Sequence, residues 1–328
     1  MKKVLITGAT GFVGYHLINK ALAAGLEVYA AVRPDTDRTH LKEFDIQYTH
    51  LDYSSVDSLK RELEEKQYQY IIHAAGITKA KTKEAYNKVN AEYSRNLALA
   101  ANTAAINLEK FVFVSSLAAL GPLTDLTAEI QDDTPGRPVT NYGASKLLAE
   151  QYLAEISGLP LIVIRPTAVY GPREKDLFIL FNSINKGLEP HIGSFTQQLS
   201  FVYVTDLAAV IVKALFSSLV SRQFNVSDGH VYNRYALADG LKKALHKKTL
   251  KFHLPVPVVG AMAALMDIFY AKSRNTPALN KEKMAELTAI NWACNIGHVK
   301  ADLGYEPEFD LEKGLRETVS WYKSNNWL

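Results

Sequence analysis

The chain carries a single cysteine, Cys294, among 328 residues. One thiol cannot close an intramolecular disulfide or build a cysteine zinc site, so the chemistry rests on oxygen, nitrogen and any bound cofactor. The nine histidines show no H-x-x-x-H or HExxH spacing, and no metal is expected. Charge of one sign is scarce as well. Lys and Arg total 37 against 34 Asp and Glu, a net of +3 without a basic run that would point to nucleic acid, which is excluded as the main partner. Long apolar runs are missing too. Lys2 and Lys3 are followed only by Val4, Leu5 and Ile6 before Thr7 and Gly8, far short of a leader's apolar region, and the expected location is the cytoplasm. The apolar stretch 254–266 is too short to span a bilayer and ends at Asp267. It reads as a buried helix, with contact to a membrane surface as the second reading. What is present, 48% hydrophobic and 22% charged residues, is a globular composition long enough for about two domains.

Two periodicities alternate through the first half. Apolar strands are predicted at 4–7, 28–32, 46–50, 70–74, 111–115 and 161–164. Helices are predicted at 12–24 with Gly25 as cap, 54–66, 83–107 and 142–157. Continuous apolar strands separated by helices predict an α/β fold, a doubly wound parallel sheet covered on both faces. After Arg165 the pattern loosens, punctuated by Pro166, Pro172, Pro190, Pro255, Pro257, Pro277 and Pro307. A smaller, mostly C-terminal substrate domain is expected there, over 167–198 and 229–328, with 1–166 and 199–228 forming the sheet domain. Within the latter, a strand at 201–204 and a helix at 206–217 are expected to return to the sheet.

Thr7-Gly8-Ala9-Thr10-Gly11-Phe12-Val13-Gly14 lies between the first strand and the first helix, with G-x-x-G-x-x-G spacing. Glycines at Gly8, Gly11 and Gly14 allow a tight turn, close approach of backbone N–H groups to a pyrophosphate, and close helix–strand packing. The end of the second strand would carry an acidic residue for the ribose 2′-hydroxyl of NAD, but the chain has Arg33 there. A guanidinium forks onto a phosphate and cannot accept from a hydroxyl, so NADP is expected ahead of NAD. The other reading of Arg33 is a solvated surface arginine. Asp52 also has two readings, an acceptor for the adenine amino group or a helix cap.

Tyr142-Gly143-Ala144-Ser145-Lys146 stacks Tyr142 and Lys146 one helical turn apart. A free phenol ionises near ~10, and a nearby ammonium favours the phenolate. Ser116 ends the strand of the preceding βα unit, where open α/β sheets place their ligands, and can hold a substrate oxygen beside Tyr142.

Taken together, TGATGFVG at 7–14, HAAG at 73–76, Val89-Asn90, FVSS at 113–116, YGASK at 142–146, RPTAVYGP at 165–172, FVYVTDLA at 201–208 and the tail at 303–322 resemble the extended short-chain dehydrogenase/reductases of the NAD-dependent epimerase/dehydratase superfamily, over nearly the whole chain. The resemblance implies a Rossmann domain and makes Ser116, Tyr142 and Lys146 the catalytic set. It implies nicotinamide-nucleotide contacts at Gly8, Thr10, Gly11, Phe12, Val13, Gly14, Arg33, Asp52, Tyr53, Ala74, Ala75, Gly76, Asn90, Val114, Tyr142, Lys146, Pro166 and Val169. Relatives pair two helices across a two-fold axis, so a homodimer is expected. Departures narrow the branch. The 4,6-dehydratases carry Asp-Glu directly after the catalytic Ser/Thr, and the keto-sugar epimerase-reductases carry a cysteine there; this chain has Leu117 and Ala118. The 4-epimerases commonly place an arginine against the sugar pyrophosphate at the position of Leu199. The pattern is more similar to the dihydroflavonol 4-reductase and 3β-hydroxysteroid dehydrogenase branch.

The expectation is therefore an NADP(H)-dependent oxidoreductase acting on a carbonyl or secondary alcohol of a small apolar substrate. A nucleotide-sugar epimerase is the alternative within the superfamily. A non-catalytic NADP sensor is the remote one, since such proteins usually lose the Tyr or the Lys. Lys79, Lys81 and Lys83 read as a solvated loop, with Lys79 near the substrate mouth as the other reading.

Overall fold

The computed structural model describes residues 1–270 and 280–328, so Pro277 lies outside the described residues. In chain order the elements begin with β1 (Lys3–Thr7), α1 (Phe12–Ala23), β2 (Glu27–Ala31), β3 (Gln47–Thr49), α2 (Val56–Lys66) and β4 (Tyr70–His73). α3 (Lys83–Asn87) and α4 (Tyr93–Thr103) are joined by a π-helical turn over Lys88–Glu92. Then come β5 (Lys110–Val114), α5 (Asn141–Ala154), β6 (Leu161–Pro166), β7 (Ala168–Tyr170), α6 (Phe178–Asn185), β8 (Leu188–Ile192), β9 (Gln198–Leu199), β10 (Phe201–Tyr203), α7 (Val204–Leu215) and β11 (Arg222–Val226). The last third holds β12 (Tyr232–Asn233), α8 (Ala236–Leu245), β13 (Leu250–Leu254), α9 (Val256–Phe269), α10 (Lys281–Thr288), α11 (Gly297–Leu303) and α12 (Leu311–Ser324).

Seven strands form one sheet in the order β11-β6-β5-β4-β1-β2-β3, and every pair in it is parallel. β4 and β5, YIIH and KFVFV, are buried along their whole length, as a sheet covered on both faces requires. α1, α7 and α11 contribute to the core on one face; α2, α4 and α5 contribute to the core on the other. From β1 the chain steps outward to β2 and β3, then returns to place β4 on the opposite side of β1. That reversal opens a crevice at the C-terminal ends of β1 and β4, where ligands of such sheets bind. A third apolar cluster joins Phe181, Phe201, Tyr203, Leu241, Leu315 and Tyr322, from α6, β10, α8 and α12.

Three expectations change. The long helix at 83–107 is interrupted by the π-turn, which buries Asn90 and Ala91. The strand near 201–204 does not rejoin the main sheet: β10 pairs with β7, while β11 supplies the seventh strand. β11 reads RQFNV, with exposed polar residues at the start of an edge strand, so it lacks a run of apolar residues. The apolar segment is not a buried helix. Leu254 belongs to β13, the helix runs on through Asp267 to Phe269, and within it Val259 and Ala263 are buried while Val258, Met262, Leu265 and Phe269 are exposed.

Candidate active site

The glycine loop has the shape its spacing implies. Gly8 adopts φ +69, and Gly11 N–H donates to Gly8 O at 2.9 Å. A Cβ on Gly8 would stand 2.6 Å from the Ala74 carbonyl oxygen, so β1 and β4 approach too closely there for a side chain. A Cβ on Gly14 would stand 2.2 Å from Gly8 O, which fixes α1 against the loop. Gly11 caps α1 without a side-chain hydrogen bond, leaving first-turn N–H groups at the positive end of the helix dipole. A backbone cradle of this kind fits the pyrophosphate of a dinucleotide. Thr10, Phe12 and Val13 line the same turn.

Beneath the crevice runs a buried polar chain. Ser94 Oγ donates to Asn90 O at 2.7 Å and lies 2.8 Å from His73 Nε2, so it accepts from Nε2–H. His73 Nδ1 then accepts from Thr7 Oγ1 at 2.7 Å, and Thr7 Oγ1 accepts from Ala75 N–H at 3.0 Å. Asn90 is clasped by Ile77, accepting from its N–H at 2.8 Å and donating to its carbonyl at 3.0 Å, and it also donates to Ser145 Oγ. Gly76 lies against Asn90 and Lys146, where a Cβ would meet Asn90 Oδ1 at 3.1 Å and Lys146 Nζ at 3.4 Å. His73 is therefore structural, joining β1, β4 and α4.

Burial, aided by the charge on Lys146, lowers His73 from 6.5 to about 3. Between those values the unfolded chain binds a proton that the folded chain does not, so stability rises with pH across the window. The contribution is complete above pH ~6.5 and is lost as the pH falls. Burial of His16, lowered to about 4, acts in the same direction. The urea midpoint is expected to fall between about pH 7 and about pH 5, and His73→Phe to flatten that fall. An unaltered slope in the variant would contradict the assignment.

Ser116, Tyr142 and Lys146 meet at the ends of β5 and α5. Thr140 caps α5, its side chain accepting from Gly143 N–H at 3.0 Å. A Cβ on Gly143 would come within 2.2 Å of Ala118 O. This glycine lets the first turn of α5 press against the 3₁₀ turn at Leu117–Ala119, and the Ser116 hydroxyl thereby reaches hydrogen-bonding range of the Tyr142 phenol. Lys146 is buried one turn below; its Nζ donates to Val114 O at 2.9 Å and stands 4.8 Å from the Phe113 ring centroid.

Here the structure corrects the expected electrostatics. Burial pushes Tyr142 up to about 12, the Ser116 hydroxyl opposes it, and Glu286 and Tyr86 add to the rise. Lys146 is not what governs the phenol. Burial lowers the ammonium itself to about 8, opposed by the Glu150 carboxylate.

The remaining predicted positions lie at the ends of strands and in the loops that follow them. Ala74, Ala75 and Gly76 follow β4, Val114 ends β5, and Pro166 and Val169 lie in β6 and β7. Tyr53 stacks on Tyr93 at 5.8 Å, and its burial raises the phenol. Arg33 is exposed two residues beyond β2. Asp52 is exposed and accepts from Ser54 N–H at 3.0 Å, whereas the cap of α2 is Ser55; a cap role for Asp52 is thereby corrected. Lys79 pairs with Asp176 at 2.7 Å on the surface. Among the described residues no group of three or more His, Cys, Asp or Glu could hold a metal ion. Sequence reasoning missed α10. Its Glu282 accepts from Asn141 N–H at 3.2 Å, and its Glu286 acts on Tyr142. A sequence separation of about 140 residues leaves no local signal for that contact.

Comparison with known proteins bears on this geometry. The model of the NAD-dependent epimerase/dehydratase family matches residues 4–227. The chain is 28% identical to a ceramide reductase of Caulobacter vibrioides over 328 residues, covering 99% of this chain and 96% of that one. It is 30% identical to a UDP-glucose 4-epimerase of Vibrio cholerae, covering 99% and 97%. Among solved structures, the UDP-glucose 4-epimerase of Thermus thermophilus in complex with NAD superposes with a TM-score of 0.78 at 23% identity, covering 98% of this chain and 99% of that one.

Proposed function

The chain belongs to the NAD-dependent epimerase/dehydratase family, and from that membership we propose that it is an NADP(H)-dependent oxidoreductase acting on a carbonyl or secondary alcohol of a small apolar substrate. The observation that carries the reading is the turn after β5. Ser116 stands beside Tyr142, and the next two residues are Leu117, which is buried, and Ala118. Neither can donate or accept a proton, so the elimination chemistry of a dehydratase has no acid or base there. A nicotinamide nucleotide seated on the glycine cradle would supply or take up the hydride. Ser116 holds the substrate oxygen. Tyr142 gives that oxygen its proton on reduction and removes it on oxidation. The phenol is raised above its ordinary range and so holds its proton at neutral pH, the form that can deliver a proton to the substrate oxygen. Lys146 reaches toward Gly76 and Asn90, where it can hold a ribose hydroxyl.

The apolar substrate class rests on Leu199, which pairs with Tyr232 and packs against the third apolar cluster. An aliphatic side chain cannot bind a pyrophosphate. Similarity to a ceramide reductase supports the same class. The second reading, an epimerase, is favoured by 30% identity to a UDP-glucose 4-epimerase.

NADP preference is tested by fluorescence titration. Arg33→Ala is expected to weaken NADPH about tenfold or more and to leave NADH nearly unchanged, since a charge-assisted contact to phosphate contributes about 1.5–3 kcal/mol. Equal loss for both nucleotides, or tighter NADH binding by the wild type, would overturn the preference.

A further inference from the structure

Nothing in the active site explains the composition of α9. Its 14 residues, VPVVGAMAALMDIF, include one charged side chain, Asp267. Val259 and Ala263 turn inward and pack with Met284 of α10 and with Ile192, Leu254 and Val256. Val258, Met262, Leu265 and Phe269 turn outward and are 49%, 48%, 55% and 81% exposed. Their spacings of 4, 3 and 4 align them along one side of the helix. Tyr270, just past the end of the helix, is also exposed. Soluble surfaces scatter such side chains singly; a continuous ridge marks a contact.

The chain leading into α9 is basic. Residues 242–253 contain five lysines and two histidines and no acidic residue. Lys242 and Lys243 are engaged by Glu189, Asp239 and Glu312. Lys247 and Lys248 are exposed, and so is Lys251, which stands over the Tyr235 ring and 3.9 Å from Glu189. β13 carries Lys251 and His253 and passes into α9 through Pro255.

We propose that α9, together with the basic segment before it, docks this protein onto the surface of an anionic lipid bilayer. The apolar ridge enters the boundary between headgroups and acyl chains, and Lys247, Lys248 and Lys251 meet the anionic headgroups. The charge selects the occupant, because a cationic segment leading directly into an apolar ridge complements a surface that is itself apolar within and negative outside. At 1.5 Å per residue α9 is about 21 Å long, shorter than a hydrocarbon core, so it lies in the interface plane. Among the described residues no helix is long and apolar enough to cross a membrane. α10 packs on the inner side of α9 and reaches the first turn of α5 through Glu282. The docking surface is thus one helix away from Tyr142. Docking does not depend on which substrate the site takes.

The test is co-sedimentation of the full chain with vesicles of phosphatidylcholine alone and of phosphatidylcholine containing phosphatidylglycerol. Binding to the phosphatidylglycerol vesicles that weakens with salt is expected. Leu265→Glu with Phe269→Glu should reduce it at least tenfold, and Lys247→Glu with Lys248→Glu should remove most of the salt-sensitive part. All four side chains are exposed, so the variants keep their fold and their NADPH titration, which separates this test from that of the active site. Absence of wild-type binding to either vesicle would overturn the proposal, as would vesicle binding by the Leu265→Glu, Phe269→Glu double variant equal to that of the wild type. Self-association without vesicle binding, abolished by that double substitution, would assign the ridge to a second copy and overturn it too.

Discussion

Tyr142→Phe is expected to lower turnover about 10²–10⁴-fold, the usual worth of a positioned acid–base group, while leaving cofactor affinity nearly unchanged. The phenol contributes to the fold through its ring, which faces Tyr86 at 6.4 Å, and phenylalanine retains that contact. Its hydroxyl touches Ser116, and Ser116 also accepts from Ala118 N–H at 3.2 Å, so the serine is not stranded by the change. The loss therefore falls on the proton transfer. A variant that keeps activity within a few-fold of the wild type would remove Tyr142 from the chemistry and revive a non-catalytic, nucleotide-binding role. Steady-state kinetics with a parallel NADPH titration separates the two.

Glu150→Gln is expected to cost about 3–5 kcal/mol of stability, the range for breaking a buried ion pair by removing one partner. Glu150 and Arg165 are 5% and 4% exposed and joined at 2.6 Å, with further bonds from Arg165 Nε at 3.0 and 3.1 Å. Ser115 Oγ donates to the same carboxylate. Once the charge is gone, the guanidinium retains the Asp132 carbonyl and Gln223 and no counter-charge among these contacts. Replacing both partners with apolar residues of similar size should recover much of the loss. A cost under about 1 kcal/mol, the value of an exposed pair, would contradict the buried arrangement. The change also reaches the active site, since Glu150 holds Lys146 up against burial. Its neutral replacement should move the Lys146 ionisation further below about 8.

The halves of the molecule differ in how far they could be read from sequence. β1, β2, β4, β5 and β6 were legible because a doubly covered parallel sheet demands unbroken apolar runs, and each run ended at a recognisable ligand turn. The glycine loop and the Tyr142–Lys146 pair were legible because backbone approach and helical periodicity leave local spacing. β11 was not, since an edge strand can carry Arg222 and Gln223 toward solvent and toward Arg165. The interruption at Lys88–Glu92 was hidden because π-turn and α-helix share composition; what holds it is Asn90, clasped by Ile77. The correction at Tyr142 has the same origin. Helical spacing places Lys146 near the phenol, but only the packed structure shows that Lys146 is buried and held by Val114 while Tyr142 is half-buried against Tyr86. Likewise, apolar composition alone made α9 a core helix; which side it buries is decided by α10 and the ends of β8 and β13.

The most direct test of the proposed reaction is the stoichiometry of nicotinamide consumption. A reductase uses one NADPH for each alcohol formed, whereas an epimerase returns the hydride to its substrate and leaves the nucleotide unchanged. The purified protein is incubated with NADPH and a small apolar ketone, and separately with UDP-glucose. NADPH loss equal to the alcohol produced from the ketone is expected, with no reaction of UDP-glucose. Inversion of UDP-glucose without net change in nicotinamide, together with no turnover of the ketone, would contradict it.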